Sequence, residues 1–494
     1  MECTNEVNVD NNSYKRRWWT LLAVSLASGL VWLSATDVII VLPAMAKELN
    51  SSLNTLQWLV IAFSLAGVVV VAGGRLTDIY GKRRILLIGT FMFALSSLIA
   101  GYSSSVILII ICRAFMGLGA AFILPASLAI VSSSFIGGQR SLALSIWIAV
   151  IWLGQSIGPT QGGLYESLGN WRWIFWDNVP LSAIAAVIVL WSMKGSNSID
   201  KKVVKHIDFG GLITLSVSLL AFMFALTLGN SYGWTSMTTL GILSIAIILG
   251  ALFIIIELKH PEPLIELSLF AKRDLLGGNL VNLVCNFSFS AVLYFMALYM
   301  QSILLFSGFK TGLLLLPLTL SILIIAPLGG LVSHHFSLRW PTAIGMGLIS
   351  VGMYLLFFAN ASSTYMDLLP GFIIMGAGLG LMITAVTQAS LDPAPPEQAG
   401  VASGIFKAGS MLGGSLGVAV TMSVFDYYGA LKQNALIKPN VIFNGLGGSA
   451  EKVEAFIYGY KYAMGISILF AILSIIIAIV LIKRVGSQST NGGH

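Results

Sequence analysis

Apolar runs long enough to cross a bilayer follow one another along almost the whole chain, and no other feature constrains the fold as much. A hydrocarbon core about 30 Å thick takes roughly twenty helical residues. Breaks at charged or Gly/Pro/Ser-rich stretches predict spans near 18–44, 56–77, 84–102, 106–131, 141–165, 172–193 and 209–229. Seven more are predicted near 235–257, 275–301, 311–333, 341–359, 366–390, 401–425 and 459–482. With 57% of residues hydrophobic and only 10% charged, the surface has to face lipid. The expected fold class is therefore an all-α membrane protein of fourteen helices.

The formal charge of +7 does not point to a nucleic acid, because Lys and Arg lie in short clusters between apolar runs. Cys3, Cys112 and Cys285 are far apart and lack ligand spacing, which excludes a disulfide framework and a zinc site. Lys15, Arg16 and Arg17 precede a long first run with no small-residue cleavage site, so this run reads as a retained span. If the N-terminus is cytoplasmic, inside loops hold roughly eighteen of the Lys and Arg residues and outside loops about seven. That bias predicts a multi-pass protein of the cell membrane (inner or plasma) with both termini in the cytoplasm. The loop at 194–207 is charged, residues 258–274 read as an interfacial linker, and 426–458 reads as a long polar outside loop.

An internal repeat organises the spans. Gly73-Gly74-Arg75 through Arg83 and Gly89 lies over Gly329-Gly330 through Arg339 and Gly345 at a spacing of 256 residues. Met116-Gly117-Leu118-Gly119 matches Met375-Gly376-Ala377-Gly378, and Leu153-Gly154-Gln155-Ser156-Ile157-Gly158 matches Leu412-Gly413-Gly414-Ser415-Leu416-Gly417, both at 259. Three matches in order argue for duplicated halves. The expected division is a tail at 1–17, a six-helix bundle at 18–193, and a loop with two extra helices at 194–257. The linker at 258–274, a second bundle at 275–483 and a tail at 484–494 complete it.

The set of motifs resembles the major facilitator superfamily and, within it, the fourteen-span drug/proton antiporters. Gly74-x-Leu76-x-Asp78-x-x-Gly81-Lys82-Arg83 is similar to the loop between helices two and three, and Arg113 with Gly117 and Gly119 to the helix-four motif. Gly154-x-x-x-Gly158-Pro159-x-x-Gly162-Gly163 resembles the helix-five antiport motif, and Trp171 to Phe175 with Asn178-Val179-Pro180 the fourteen-span group. The resemblance implies a secondary active transporter, a proton-coupled antiporter exporting amphipathic drugs by alternating access. A dedicated exporter of one metabolite, siderophore or lipid fits the same architecture. A membrane enzyme or receptor fits least, since no catalytic constellation is present.

Each motif has a physical reading of its own. Gly81 permits a tight turn, and Asp78 among Arg75, Lys82, Arg83 and Arg84 reads as a charge-paired latch, or as a helix cap in a loop whose basic residues set topology. The second copy keeps Arg339 but has His334 in place of Asp78, so a latch is expected to be asymmetric. Gly154, Gly158 and Gly162 form one smooth helix face that suits close packing in lipid, and Pro159 removes a backbone donor. Packing of that face against the other half is expected to gate a central cavity; ordinary helix packing is the alternative.

Asp37, Arg113, Asp177 and Lys407 fall within spans, where each costs about 2.5–3.5 kcal/mol on insertion scales. They are expected to face a cavity or one another. Burial and neighbouring charge act oppositely on a carboxylate's proton affinity, so Asp37, Asp177 and Arg113 are the proton-coupling candidates. The chain departs from the family here: Ser34 stands at the helix-one acid with Asp37 three residues later, and Ser410 stands at a position often basic with Lys407 three residues earlier. An acid that is only a structural partner of Arg113 or Lys407 remains open.

On the ninth span, Asn279, Asn282 and Asn286 follow helical spacing, with Tyr294 and Gln301 beyond them. In the first-helix equivalent of the second half, they are expected to line the cavity or an interhelical contact. Ser34, Gln155, Gln161, Gln388 and Lys407 are further substrate candidates, and Trp32, Phe63, Trp147, Trp152 and Trp176 suggest an aromatic cavity for lipophilic cations. No Gly-Lys-Ser/Thr phosphate loop is present, so ATP is not expected to drive the protein. His334 and His335 make no metal site, no cofactor is called for, and the expected partners are a small molecule, protons and lipid, with function as a monomer.

Overall fold

A computed structural model describes residues 11–482, apart from 57, 68, 194–207, 261–262, 264, 336 and 437–449. The charged loop at 194–207 and the tail from 483 onward therefore lie outside the described residues. Among the described residues, thirteen helices are long and apolar enough to cross a membrane, and a bent pair makes fourteen. In the first bundle, α1 is Asn11–Glu48 and α2 is the pair Trp58–Gly67 and Val70–Tyr80, bent by 44°. Then come α3 (Lys82–Tyr102), α4 (Val106–Ser134), α5 (Gly137–Ser167) and α6, which joins Trp173–Trp176 to Asn178–Ser192. The inserted pair is α7 (Phe209–Tyr232) and α8 (Met237–Lys259). The second bundle holds α9 (Arg273–Ser302), α10 (Gly308–His335), α11 (Arg339–Phe357), α12 (Tyr365–Leu391), α13 (Ala399–Leu436) and α14 (Ala450–Leu481).

Polar residues punctuate these helices where apolar periodicity stops. Gly81 turns the chain between α2 and α3 at φ 91°, in the left-handed region that a side chain disfavours. Ser105, Asp208 and Ser236 cap α4, α7 and α8 by accepting first-turn N–H bonds, and Thr364 with Asp367 forms a capping box on α12. The bundle end that carries Gly81 is called here the loop end, and the opposite one the far end.

Glycine contacts repeat between the bundles. Gly117 of α4 sits on the Phe63 carbonyl of α2, and Gly376 of α12 on the Leu318 carbonyl of α10. Gly89 meets Gly119 as Gly345 meets Gly378. Gly154 and Gly158 of α5 lie on Gly29 and Leu33 of α1, and Gly413 and Gly417 of α13 lie on Leu283 and Phe287 of α9. In lipid, where apolar side chains gain little by leaving apolar solvent, such backbone contact drives association. The duplicated sequence thus folds into duplicated packing.

Two expectations need correction. The Gly154, Gly158 and Gly162 face packs on α1 of its own half, not on the other half, because Gly29, Leu33, Thr36 and Asp37 present the matching backbone surface. The neighbouring face of α5 reaches across instead, with the Pro159 ring near Gly312 and Gly163 against Phe309 of α10. Residues 426–458 are also less loop-like than their polarity suggests. α13 continues to Leu436 and α14 begins at Ala450, held by a Lys432–Glu454 ion pair at 3.0 Å and stacked Tyr428 and Tyr462 rings 3.7 Å apart.

The inserted pair is joined by a Ser218 hydroxyl donating to the Ala246 carbonyl at 2.8 Å. α7 packs against α13 and both segments of α2, and Trp234 after it donates from Nε1 to Ser423 Oγ at 2.7 Å. It therefore covers the seam between the two bundles on the α2–α13 side.

A side chain at the repeated contacts should be costly in both halves. Gly154→Val and Gly413→Val are expected to destabilise by about 1–3 kcal/mol or more through overpacking, lowering the detergent-solubilised thermal midpoint. Gly347→Val, with nothing within 4 Å of its Cβ position, should leave the midpoint unchanged.

Candidate functional site

Asp37, Arg113 and Asp177 lie toward the far end of the first bundle. Arg113 of α4 is 0% exposed. Its Nε donates to the Leu59 carbonyl at 3.0 Å, and its Nη1 to the Ser34 carbonyl at 2.9 Å and to Ser34 Oγ at 3.1 Å. The guanidinium lies over Phe63, 4.4 Å from the ring centre. Backbone carbonyls and a hydroxyl therefore take the place a carboxylate would hold. Ser34, standing where the family has an acid, is thus the residue that orients this arginine. Asn178, fully buried, donates to Ser97 Oγ at 3.1 Å and to the Ile174 carbonyl at 2.9 Å. It also reaches Ser34 Oγ at 3.5 Å, tying α6 to the same point.

Asp37 sits one turn beyond Ser34 on α1 and is 1% exposed. Neither carboxylate oxygen has a hydrogen-bond partner, and the Val38 N–H that faces it falls outside hydrogen-bonding geometry. No basic group lies within ion-pair distance of it among the described residues, yet it lies within electrostatic reach of Arg113 and Asp177. Asp177, at the hinge inside α6, accepts from the Tyr165 hydroxyl at 3.1 Å and from the Gln161 amide, both on α5. Above it, Arg172 and Trp171 both donate to Glu48 at the end of α1, at 2.5 and 2.6 Å. Asp37, Asp177 and Arg113 thus form no direct ion pair with one another.

In the second bundle the three asparagines divide. Asn282, 1% exposed, donates to the Phe406 carbonyl of α13 at 2.7 Å and accepts from Ser410 Oγ at 3.0 Å and from Asn286 at 3.0 Å. It is an interhelical contact. Asn286 also donates to the Asn282 carbonyl, and Asn279 donates to its own helix at Leu275, leaving its Oδ1 buried and without a partner. Tyr294 is partly exposed near the far end of α9. Gln155 contributes its backbone carbonyl, which accepts from Thr36 at 3.0 Å.

The two bundles meet along two seams. On one, Asp78 of α2 accepts from the N–H groups of Gly400 and Val401 at 2.7 and 2.9 Å, so its carboxylate caps the N-terminus of α13. Arg75 and Lys82 remain within electrostatic reach, but the hydrogen-bond partner is the other half. Gly74 packs directly on Gly400 to allow it. On the other seam, Arg140 of α5 pairs with Asp392 after α12 at 2.8 Å. Gln388 donates to Ser141 at 2.6 Å, and Ser145 and Thr384 share a bond at 2.9 Å. The side chains of His334 and His335 lie outside the described residues. Further toward the far end, Ser156 bonds Thr319, and Phe309 and Gly308 pack on Gly163 and Ile40.

The aromatic residues do not converge on one cage. Phe63 underlies Arg113, and Trp176 packs on Tyr102 and Trp173 at 5.4 Å each. Trp147 donates to Ser28 at 3.1 Å, and its ring carries the Lys407 ammonium 4.8 Å from its centre. Trp152 meets Phe289 edge-on at 5.0 Å across the seam. No cluster of metal-ligating side chains occurs among the described residues. Sequence reasoning missed Asn178, Tyr165 and Glu48 as members of the polar network, and missed the N-terminus of α13 as the partner of Asp78. Each is joined to its partner only by tertiary packing, so no local spacing signals it.

Comparison with known proteins accounts for this architecture. Residues 21–418 match the profile of the Major Facilitator Superfamily. The chain is 32% identical over 406 residues to the tetracenomycin C resistance and export protein of Streptomyces glaucescens, covering 82% of this chain and 75% of that one. It is 33% identical over 410 residues to the quinolone resistance protein NorB of Staphylococcus aureus strain MRSA252, covering 82% and 88%. In fold it is similar to the human organic anion transporter MFSD10 (TETRAN), with a TM-score of 0.65 over 94% of this chain and 99% of that one at 14% identity. The duplicated glycine packing, the fourteen spans and these matches together place this multi-pass membrane protein in the major facilitator superfamily, as a transporter and not an enzyme.

Proposed function

We propose that this chain is a proton-coupled exporter of amphipathic small molecules, set in the cell membrane with both termini and the loop end in the cytoplasm. The observation that carries the reading is Asp37. A carboxylate buried in low dielectric with neither oxygen hydrogen-bonded is costly to hold ionised. Its protonation is therefore tied to any motion that changes its surroundings. The Asp37 carbonyl lies on Gly162, and Asp37 stands one turn from Ser34, which accepts from Arg113, so a shift of α1 along the smooth face of α5 carries the acid into new surroundings and loads the Ser34–Arg113 bonds that tie α1 to α4. Asp177, with Tyr165 and Gln161, stands nearer the far end, the side from which protons would enter in this orientation. The charge bias of the loops supports the orientation, and the relatives named for drug resistance and export support the direction of transport.

Alternating access needs seams that open one end at a time. Asp78 on the α13 N-terminus and Arg140 on Asp392 hold the loop end with charged bonds, whereas the far end is joined mainly by packing of Phe309 and Ile40. The covered α2–α13 seam and the uncovered α5–α10 seam make the two sides of the molecule inequivalent.

Two measurements test this reading. Asp37→Asn in reconstituted vesicles should reduce efflux driven by a pH gradient more than tenfold, together with the accompanying proton flux; unchanged proton flux removes the coupling role. Asp78→Ala removes two bonds from a charged acceptor, each worth about 1.5–3 kcal/mol, and should shift the ensemble toward an open loop end. Spin labels at Ile136 and Glu397, both exposed at that end in different halves, should move apart in Asp78→Ala. An unchanged distance distribution would show that the bond is not a latch.

A further inference from the structure

Lys407 is a buried charge that the coupling network leaves unused. It lies in α13, eight residues past Ala399, which is about 12 Å into the helix at 1.5 Å per residue. The side chain is 9% exposed. Its ammonium lies over Trp147 of the other half at 4.8 Å and within 5.9 Å of the Phe406 ring, with no carboxylate or hydrogen-bond acceptor at bonding distance among the described residues. Asp37 is no counter-charge for it. The backbone of Asp37 packs at Gly162, fifteen residues further along α5 than Trp147, or about 22 Å.

The structure assigns Lys407 as the anchor for the anionic group of the substrate: the transported class is an organic anion carrying a planar aromatic body. This rests on the export reading and narrows it. An ammonium held in low dielectric without a counter-ion favours any ligand that brings one. A carboxylate or sulfonate supplies that charge, and the Trp147 and Phe406 rings beside the ammonium come from both halves; five residues along α5 from Trp147, or about 7.5 Å, Trp152 meets Phe289 of the second half edge-on at 5.0 Å. Ser145 and Thr384 close the seam toward the loop end. A lipophilic cation fits poorly at the same place. The face of Trp147 that would attract it already carries the Lys407 ammonium, and like charge repels it. Proton and anion sites then stand at different depths, so they exchange through the movement of α5 and its neighbours, not by direct competition for one side chain.

The test compares three probes on one ring: 2-naphthoate, its methyl ester, and 2-naphthylmethylammonium. Binding is measured by equilibrium dialysis with the full chain in zwitterionic nanodiscs, against empty nanodiscs. No proton gradient is imposed, so the result is independent of the Asp37 assay. The naphthoate should bind saturably and at least tenfold more tightly than the ammonium compound. Lys407→Met should lose at least tenfold for naphthoate while keeping the ester within threefold, and Lys407→Arg should retain naphthoate. Should Lys407→Met fail to fold, the ranking of the three probes on the natural chain and the Lys407→Arg result decide alone. Tighter binding of the ammonium compound, absence of saturable naphthoate binding, or naphthoate affinity unchanged in Lys407→Met each overturns the assignment.

Discussion

Backbone-to-backbone contact through glycine is the constraint on which the other features of this protein rest. Hydrocarbon gives apolar side chains little reason to associate, so helices hold together where their main chains approach closely enough for dispersion and weak polar contacts. α5 on α1 and α13 on α9 are two such instances, and each is a run of glycines four residues apart set on the carbonyls of a partner. Such a face is smooth. It fixes the distance between two helices while leaving translation along the groove inexpensive, a property useful to a protein that must change shape without dissolving its core. The placement of Asp37 follows from this contact, because its main chain is part of the surface on which Gly162 rests.

Charge in the membrane is handled differently by the two halves, although their backbones repeat. In the first, Arg113 donates from Nε and Nη1 to the Leu59 and Ser34 carbonyls and to Ser34 Oγ, while its Nη2 and the Asp37 carboxylate are both left without a direct partner. In the second, Phe372 occupies the place that corresponds to Arg113 and is wholly buried, so that half has no equivalent cation on its fourth helix. Its buried cation stands instead on α13, against a tryptophan of the opposite half. Duplication preserved the glycines that set helix spacing, while the polar residues diverged. Divergence of that kind is tolerated because a side chain can be exchanged without moving the helices, whereas a Cβ at Gly158 or Gly417 cannot be accommodated.

The helices were legible in the sequence because hydropathy is a local property and spans are long. The repeat was legible because glycine at a fixed spacing survives where other residues drift. What the sequence did not reveal is where each face points. The Gly154 to Gly162 stripe announces a close contact but not its partner, and the partner proved to be α1. Asp78 announces a capped or paired carboxylate, yet its donors lie on Gly400 and Val401, more than half the chain away. The tryptophans were read as a set because they share a chemistry, whereas packing distributes them among Ser28, Phe289 and Tyr102. The extension of α13 and α14 was hidden by polarity: past the apolar runs, tyrosine stacking and an ion pair hold a helix pair that hydropathy does not mark.

α5 is the element at which these strands meet. One of its faces carries Gly158 and Gly162 against the helix of Asp37, another carries Pro159 and Gly163 against α10, and its inner face places Trp147 beneath Lys407. Tyr165 and Gln161 near its far end hold Asp177, and Arg140 at its loop end holds Asp392. On the proposed reading, a change of charge at Asp37 or Asp177 acts on the same helix that closes the α5–α10 seam and bears the ring facing the substrate anchor. Pro159 lies between the acid-binding segment and Trp147, and a proline inside a helix removes one backbone bond and permits a bend there. The two ends of α5 are therefore not obliged to move together. A bend at Pro159 lets the far-end segment follow Asp37 while the loop-end segment stays fastened through Arg140 and Ser145, so that one seam opens at one end at a time. Coupling in such a protein requires no direct contact between the proton and its counter-substrate, only a helix that touches both.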